Sequence, residues 1–359
     1  MAPYLPPELV WEIMVRLPVK SLLRFRCISK AWRDRISDDA EFRRANLRAQ
    51  TPCLLAWSST EEDRRKVTTV GLYVPEESAA ITDTMELPLE CESHSFAHCD
   101  GLLLMPTETV VRVVNLATRR VITLPESSNS VAPSVRFHEF LTHQIFGIGH
   151  DSRNDTYKVA RFFFGSMDPI PTGGYHHNFG MEVFTIGIDQ HWRETTAQPP
   201  YPVDISGKST FFKGSLFWII DEMKLPIGES PQGFLRFKLE DESFCVMPPP
   251  PHCQGLIYET SYLAELRGEL SVAHAGPKYE SIEIWMCNDV DTNTPRWNRL
   301  YTVKTFCLLE NPLFQATMYN QCQYLLDGQV LKDIVGVNGS LMHHRLGSIM
   351  PYIPSLVPL

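Results

Sequence analysis

The chain of 359 residues has no apolar run near the ~20 residues that a membrane-spanning helix needs; stretches such as Leu216-Phe217-Trp218-Ile219-Ile220 have the length of a buried strand. The first residues also lack the form of a secretory leader, because Pro6, Pro7, Glu8 and Glu12 interrupt the place where its apolar centre would lie. No Cys-x-x-Cys pair occurs, and the nine cysteines are odd in number and scattered, which excludes a disulfide framework and predicts reduced thiols. Read with reduced thiols, the Asn-x-Ser/Thr triplets at Asn154 and Asn338 carry no glycosylation meaning. The expected location is therefore cytoplasmic, nuclear or both, with no membrane partner.

Catalytic motifs are scarce as well. There is no Gly-x-x-x-x-Gly-Lys loop for phosphate, no Gly-x-Ser-x-Gly nucleophile turn and no His-Glu-x-x-His zinc motif. Phe146-Gly147-Ile148-Gly149 contains Gly-x-Gly but lies in a strand-like run with no helix after it, so it reads as structural. Cys91, His94, His98 and Cys99 come closest to a metal cluster, yet the second ligand pair of a zinc knuckle is missing and His98-Cys99 runs straight into a hairpin pattern. The pairs His176-His177 and His343-His344 are adjacent residues, which in a strand face opposite ways and do not share one metal. The first pair sits in Gly173-Gly174-Tyr175-His176-His177-Asn178, which reads as a flexible loop suited to contact more than to catalysis. No cysteine has the setting of an activated thiol. The expectation is a chain without cofactor, metal or catalytic residues.

What is present divides in two. Residues 1 to 50 carry ten Lys and Arg against six Asp and Glu, a net of +4, and residues 51 to 359 carry the remaining 23 against 36, a net of -13. Within the basic part the apolar period is helical. Pro6-Pro7 can open a helix that Pro18 stops; along it Glu8, Glu12 and Arg16 form one polar stripe, and Leu9, Val10, Trp11, Ile13, Met14, Val15 and Leu17 fill the rest of the circumference. A second helix carries Val19, Leu22, Leu23 and Phe25; a third starts at Ser29 and includes Trp32 and Ile36; Asp38 or Asp39 caps a fourth around Phe42 and Leu47. A module of about 50 residues buries little of its own surface. A helix so widely apolar should be covered, either by the rest of the chain or by a partner protein. Arg24, Arg26, Lys30, Arg33 and Arg35 are compatible with nucleic acid, but they read better as a solvated face of an acidic chain.

At these positions the sequence resembles the F-box, in its plant form: Leu5-Pro6, Leu9, Ile13, Leu17-Pro18-Val19-Lys20-Ser21-Leu22, Arg24-Phe25-Arg26-Cys27-Ile28-Ser29-Lys30-Ala31-Trp32, Ile36 and Phe42. The resemblance implies docking on the Skp-type adaptor of a cullin-RING ubiquitin ligase. It points to Leu5, Pro6, Leu9, Ile13, Leu17, Pro18, Val19, Leu22, Leu23 and Trp32 as the adaptor-binding residues.

Beyond Gln50 short β-rich runs take over: Leu102 to Met105, Val110 to Asn115, Thr156 to Phe164, Glu182 to Ile188, Ser215 to Ile220, Phe234 to Leu239, Glu269 to Ala273 and Ser281 to Cys287. A weak repeat sets a polar residue and Gly before a hydrophobic strand, at Asp100-Gly101, Lys213-Gly214, Arg267-Gly268 and Asn338-Gly339, and predicts tight hairpin turns. A second recurring pattern is a strand running into Trp192 or Trp297. The expected architecture is a small all-α module, residues 1–50, followed by a large all-β domain, residues 51–359, most simply a propeller and alternatively a pair of sandwiches.

The β part is similar to the plant F-box-associated region. The similarity rests on Cys99-Asp100-Gly101-Leu102-Leu103, Asn115-Leu116-Ala117-Thr118-Arg119 leading to Leu124-Pro125, Phe146 to Asp151 followed by Asp155-Thr156-Tyr157-Lys158-Val159, Gly214 to Trp218, Leu235 to Pro248, Ile282 to Trp285 and Tyr352 to Val357. It implies a non-catalytic receptor that brings a target protein to the ligase for ubiquitination and degradation. The identity of that target is not written in the sequence. Two other functions remain compatible with the residues: a metal- or histidine-dependent enzyme on the β domain, and a nucleic-acid binder using the basic helices.

Overall fold

The computed structural model describes residues 5–62, 65–74, 80–88, 96–107, 110–129, 145–169, 175–204, 208–225, 233–251, 261–275, 280–292, 294–304 and 348–359. Four helices come first: α1 (Pro7–Arg16), α2 (Val19–Phe25), α3 (Lys30–Asp38) and α4 (Ala40–Ala49). Their boundaries follow local chemistry. Pro7 opens α1 where no amide donor is required, Ser29 Oγ accepts from the Trp32 amide at 3.2 Å, and Asp39 Oδ1 accepts from the Phe42 amide at 3.0 Å. Pro18 both ends the first helix and stands at the N-cap of the second.

The remainder is β-structure, and among the described residues it forms five four-stranded antiparallel sheets. The first holds β1 (Cys53–Glu62), β2 (Arg65–Val74), β3 (Ala80–Pro88) and, at its edge beside β1, the last strand β20 (Ser348–Tyr352). The second holds β4 (Ala97–Cys99), β5 (Leu102–Pro106), β6 (Val111–Asn115) and β7 (Arg120–Thr123). In the third are β8 (Ile145–Asp151), β9 (Thr156–Pro169), β10 (Tyr175–Thr185) and β11 (Arg193–Glu194). The fourth runs β12 (Thr210–Phe212), β13 (Ser215–Trp218), β14 (Phe234–Lys238) and β15 (Phe244–Met247), and the fifth β16 (Tyr262–Leu266), β17 (Glu269–Ala275), β18 (Ser281–Cys287) and β19 (Asn298–Lys304).

Successive sheets meet along their first strands, β4 against β8, β8 against β12 and β12 against β16. That is the contact of propeller blades arranged around an axis. Two sandwiches packed face to face would not produce it. Three of the four repeated glycines do make the expected turns: Asp100-Gly101, Lys213-Gly214 and Arg267-Gly268 each carry two consecutive positive φ values and join the first strand of a blade to its second. Asn338-Gly339 lies outside the described residues, as do Cys91, His94 and His343-His344.

The two tryptophan markers also have equivalent roles. Trp192 Nε1 donates to the Pro125 carbonyl at 2.7 Å and Trp297 Nε1 to the Pro248 carbonyl at 3.0 Å, so each ties the last strand of its own blade to the chain leaving the blade before. The strand expected over Glu182 to Ile188 ends earlier, at Thr185. Asp189 accepts from the Thr185 amide at 2.7 Å, and Gly187 turns the chain at φ +79°. His176 and His177 lie in strand β10, paired with Asp168 and Met167, and not in a flexible loop, because the β9-β10 hairpin is long.

Gly147 and Gly149 confirm their structural reading. A Cβ on Gly149 would come within 2.4 Å of Phe211 and 2.5 Å of Leu239 in the neighbouring blade, so glycine here lets two inner strands approach closely. Gly149→Ala is expected to cost about 1–3 kcal/mol through overpacking, read as a lower denaturant midpoint with the slope unchanged. An unchanged midpoint would show that this approach is not tight.

Candidate partner-docking face

The helical module has a small core of its own, made by Met14, Val19, Leu22, Ile36 and Phe42. Trp11 meets Phe42 edge-on with 5.2 Å between ring centroids, and the Arg35 guanidinium lies over the Trp11 ring at 5.7 Å. Asn46 on α4 is fully buried. Its side-chain amide donates to the carbonyls of Val15 at 2.8 Å and Leu17 at 3.1 Å, and Gln50 also reaches the Leu17 carbonyl. These bonds satisfy carbonyls that the end of α1 leaves open, and they lock α1 across α4.

Once α1 is locked, the two sides of its apolar circumference separate. Val10, Met14 and Leu17, spaced for one helical face, turn toward the core; Leu5, Leu9 and Ile13 stay 54%, 48% and 51% exposed. The exposed stripe is bordered by the polar row in which Arg16 pairs with Glu12 at 3.4 Å. Each large aliphatic side chain left in water forgoes roughly 1.5–3 kcal/mol, so Leu9 and Ile13 one turn apart on α1, with Leu5 just before its N-cap, form a face suited to a partner.

The ten residues expected at the adaptor contact divide accordingly. Leu5, Pro6, Leu9, Ile13 and Pro18 are exposed, and Leu17, Leu23 and Trp32 are half-buried. Val19 and Leu22 are 2% and 0% exposed, so they are corrected to interior residues that support the face from below; an amphipathic pattern does not distinguish a module's own core from its docking side.

Cys91, His94 and His343-His344 lie outside the described residues, so only part of the other candidate chemistry can be placed. Among the described residues no three His, Cys, Asp or Glu side chains come together as a metal-binding group. Cys99 is buried against the backbone of His150, and burial raises its thiol well above the ordinary range, the opposite of an activated nucleophile. His98, beside it on β4, keeps a little accessible surface but is enclosed by the inner strands. That enclosure pushes its imidazole down to about 4, and Lys208 adds to the shift.

Four helices joined to a β-propeller define the class: a two-part protein with a small helical module and a large β domain. Residues 3–44 match the F-box domain and residues 65–359 the F-box associated beta propeller domain, and the chain belongs to this family of F-box proteins. An F-box/LRR-repeat protein of Arabidopsis thaliana is 25% identical over 313 residues, covering 83% of this chain and 66% of the relative, so the chain spans just under two thirds of it. An Arabidopsis F-box/kelch-repeat protein is 28% identical over 228 residues, which are 60% of this chain and 98% of that protein. Among solved structures, a Synechocystis apocarotenoid oxygenase mutant covers 71% of this chain and 61% of its own at 11% identity and a TM-score of 0.36, too slight a likeness to carry that protein's chemistry across.

Sequence reasoning missed Asn46 and Gln50, which no motif marks. The one available sign was an asparagine, a poor helix former, in mid-helix. For His98 a pH dependence follows. The folded imidazole titrates near 4 and the unfolded one near 6.5, so the unfolded chain takes up the proton first and stability is lost as pH falls from 6.5 to 4. The urea midpoint should drop over that window, and less steeply in His98→Gln; parallel profiles would mean that His98 is not enclosed.

Proposed function

We propose that this protein is the substrate-recognition subunit of a Skp-cullin-F-box type ubiquitin ligase. Residues 1–50 dock a Skp-type adaptor and through it the cullin, and residues 51–359 hold a target protein so that its lysines meet ubiquitin carried by an enzyme elsewhere in the complex. The chain's contribution is proximity and orientation, with no bond made by its own side chains. One observation carries this reading: in a folded F-box module, Leu5, Leu9 and Ile13 form a continuous apolar stripe that the chain's own core leaves uncovered.

The propeller supports the second half of the proposal. Its strands alternate in direction, so the turns at 116–119 and 151–155 lie at one end, and the connections between blades, such as 124–129 and 195–204, lead away at the other. Contacts to the helices come from the first end, through Ala117 and Asp155. Among the described residues no contact to the helices comes from the opposite end, and we assign the target to it.

The test is the double variant Leu9→Asp, Ile13→Asp. Both side chains are about half exposed, so the fold should persist, with circular dichroism and the urea midpoint close to the parent. Losing two buried aliphatic contacts at an interface is worth roughly 3–6 kcal/mol, hence a hundredfold or greater loss of affinity for a purified Skp-type adaptor. Adaptor binding unchanged in the folded double variant would refute the proposal.

A further inference from the structure

The segment after β20 is built into both parts of the molecule at once. Leu356 is 7% exposed and belongs to the helical core with Met14, Val19, Leu22, Ile36 and Phe42. Val357, the next residue, is equally buried, but in the propeller core with Leu104, Val113 and Ile148. Neighbouring side chains of an extended segment point opposite ways, so one residue enters the helices and the next enters the blades.

The backbone of this segment is held from the propeller side. The buried Asn115 side chain donates to the carbonyl of Ser355 at 3.2 Å and to that of Val357 at 2.9 Å, bracketing Leu356. Tyr352, fully buried, donates its hydroxyl to the Gly101 carbonyl at 3.0 Å. Gly101 itself has no room for a side chain, since a Cβ there would lie 2.6 Å from the Ile353 carbonyl and 2.5 Å from Ser355 Oγ.

The covalent link between the parts is short, from Ala49 at the end of α4 to Cys53 at the start of β1, and a single link of that kind leaves the helices free to pivot. Leu356 supplies a second point of attachment, since the backbone that carries it is fixed to the propeller. A third contact, Arg44 to Asp155 at 3.5 Å, is solvent-exposed and adds little energy. The Leu356 anchor, unlike that pair, is buried on both sides.

We propose that residues 353–359 form the joint that sets the orientation of the F-box helices on the propeller, and that Leu356 and Asn115 are positioning residues for ubiquitin transfer. The second clause rests on the ligase reading above; the first does not. If the joint holds, the target end of the propeller faces the ubiquitin-carrying enzyme at one fixed angle. Without it, the helices still dock and the propeller still folds, but the angle is averaged.

The experiment uses the full chain with spin labels on unnatural side chains at the exposed positions Arg33 and Glu240, one in each part. The parent should give a single narrow distance distribution. Leu356→Asp and, separately, Asn115→Ala should broaden it about twofold or more while adaptor binding is retained, and Leu356→Ala should exchange its α1 and α4 amide hydrogens roughly tenfold faster than the parent. Asn115→Ala removes no side chain of the helical core, and beyond the tail it loosens only the turn that carries Ala117, where the Asn115 side chain accepts from the Thr118 amide, so it decides the matter should Leu356→Asp lose helix content. Unchanged widths in Asn115→Ala and in a folded Leu356→Asp would overturn the joint. In a ligase reconstituted with the adaptor and cullin, the parent should modify a restricted set of its own propeller lysines and Asn115→Ala a wider one. Identical lysine sets together with a broadened distance would retain the joint and remove its role in transfer. Failure of the ligase reading shows separately, as adaptor binding that survives Leu9→Asp, Ile13→Asp.

Discussion

Closure is the constraint on which the rest of this structure depends. A blade is a small sheet with exposed edges, and blades are stable only where each is covered by its neighbours, so the ring needs an end that returns to its beginning. Here that end is β20, antiparallel to β1, with Tyr352 opposite Cys53 and nearly three hundred residues between them in sequence. The pairing places the last strand where the chain leaves the helices. Every contact of the segment 353–359 with the F-box follows from that placement.

The same geometry explains how a small helical module can keep an apolar face uncovered. Forty-odd residues bury too little surface to spare aliphatic side chains for solvent. Leu356 adds one buried side chain to the helical core from outside the module, and Ala117 packs beside it. Supported from the propeller side, α1 can leave Leu5, Leu9 and Ile13 in water. The core-facing and the exposed apolar residues thus lie on opposite sides of one helix, and the bonds from Asn46 and Gln50 to its final turn decide which side is which.

What could be read in the sequence is what local chemistry decides. Ser29 and Asp39 as caps, Pro18 as a stop and the Asp-Gly, Lys-Gly and Arg-Gly turns act within a few residues or within one hairpin and were legible; the two tryptophans were legible only as markers, since their partners Pro125 and Pro248 lie in the chain leaving the blade before. Strand ends were less so: Thr185 closes β10 because Asp189, four residues on, accepts its amide. The exposed apolar stripe was legible in outline through the family resemblance, but Val19 and Leu22, grouped with it, are interior residues, since helical periodicity reports that a side chain is apolar and not what will cover it. The joint was invisible. Leu356 meets Phe42 through more than three hundred intervening residues, and nothing in the tail marks one leucine for the helices and the next valine for the blades.

Burial of charge gives the propeller a rigidity that the joint requires. Arg161 and Glu182, each 2% exposed, pair at 2.9 Å inside the third blade, with Ser127 and Asn129 donating to the same carboxylate from the connection that enters it. Lys158 bridges Asp151 and Glu242 at 3.0 Å each and donates to the Leu239 carbonyl, which ties that blade to the next. Such pairs add little net stability over apolar packing, but breaking one leaves a buried charge without a partner, so they penalise any relative slip of the blades. Asp151 sits at the start of the turn whose Asp155 faces Arg44 of α4. At the end of the propeller that receives the helices, the Lys158–Asp151 pair is shielded from water at 7% and 0% side-chain exposure, so an anchor set into that end, as Leu356 is, transmits orientation where a flexible surface would absorb it.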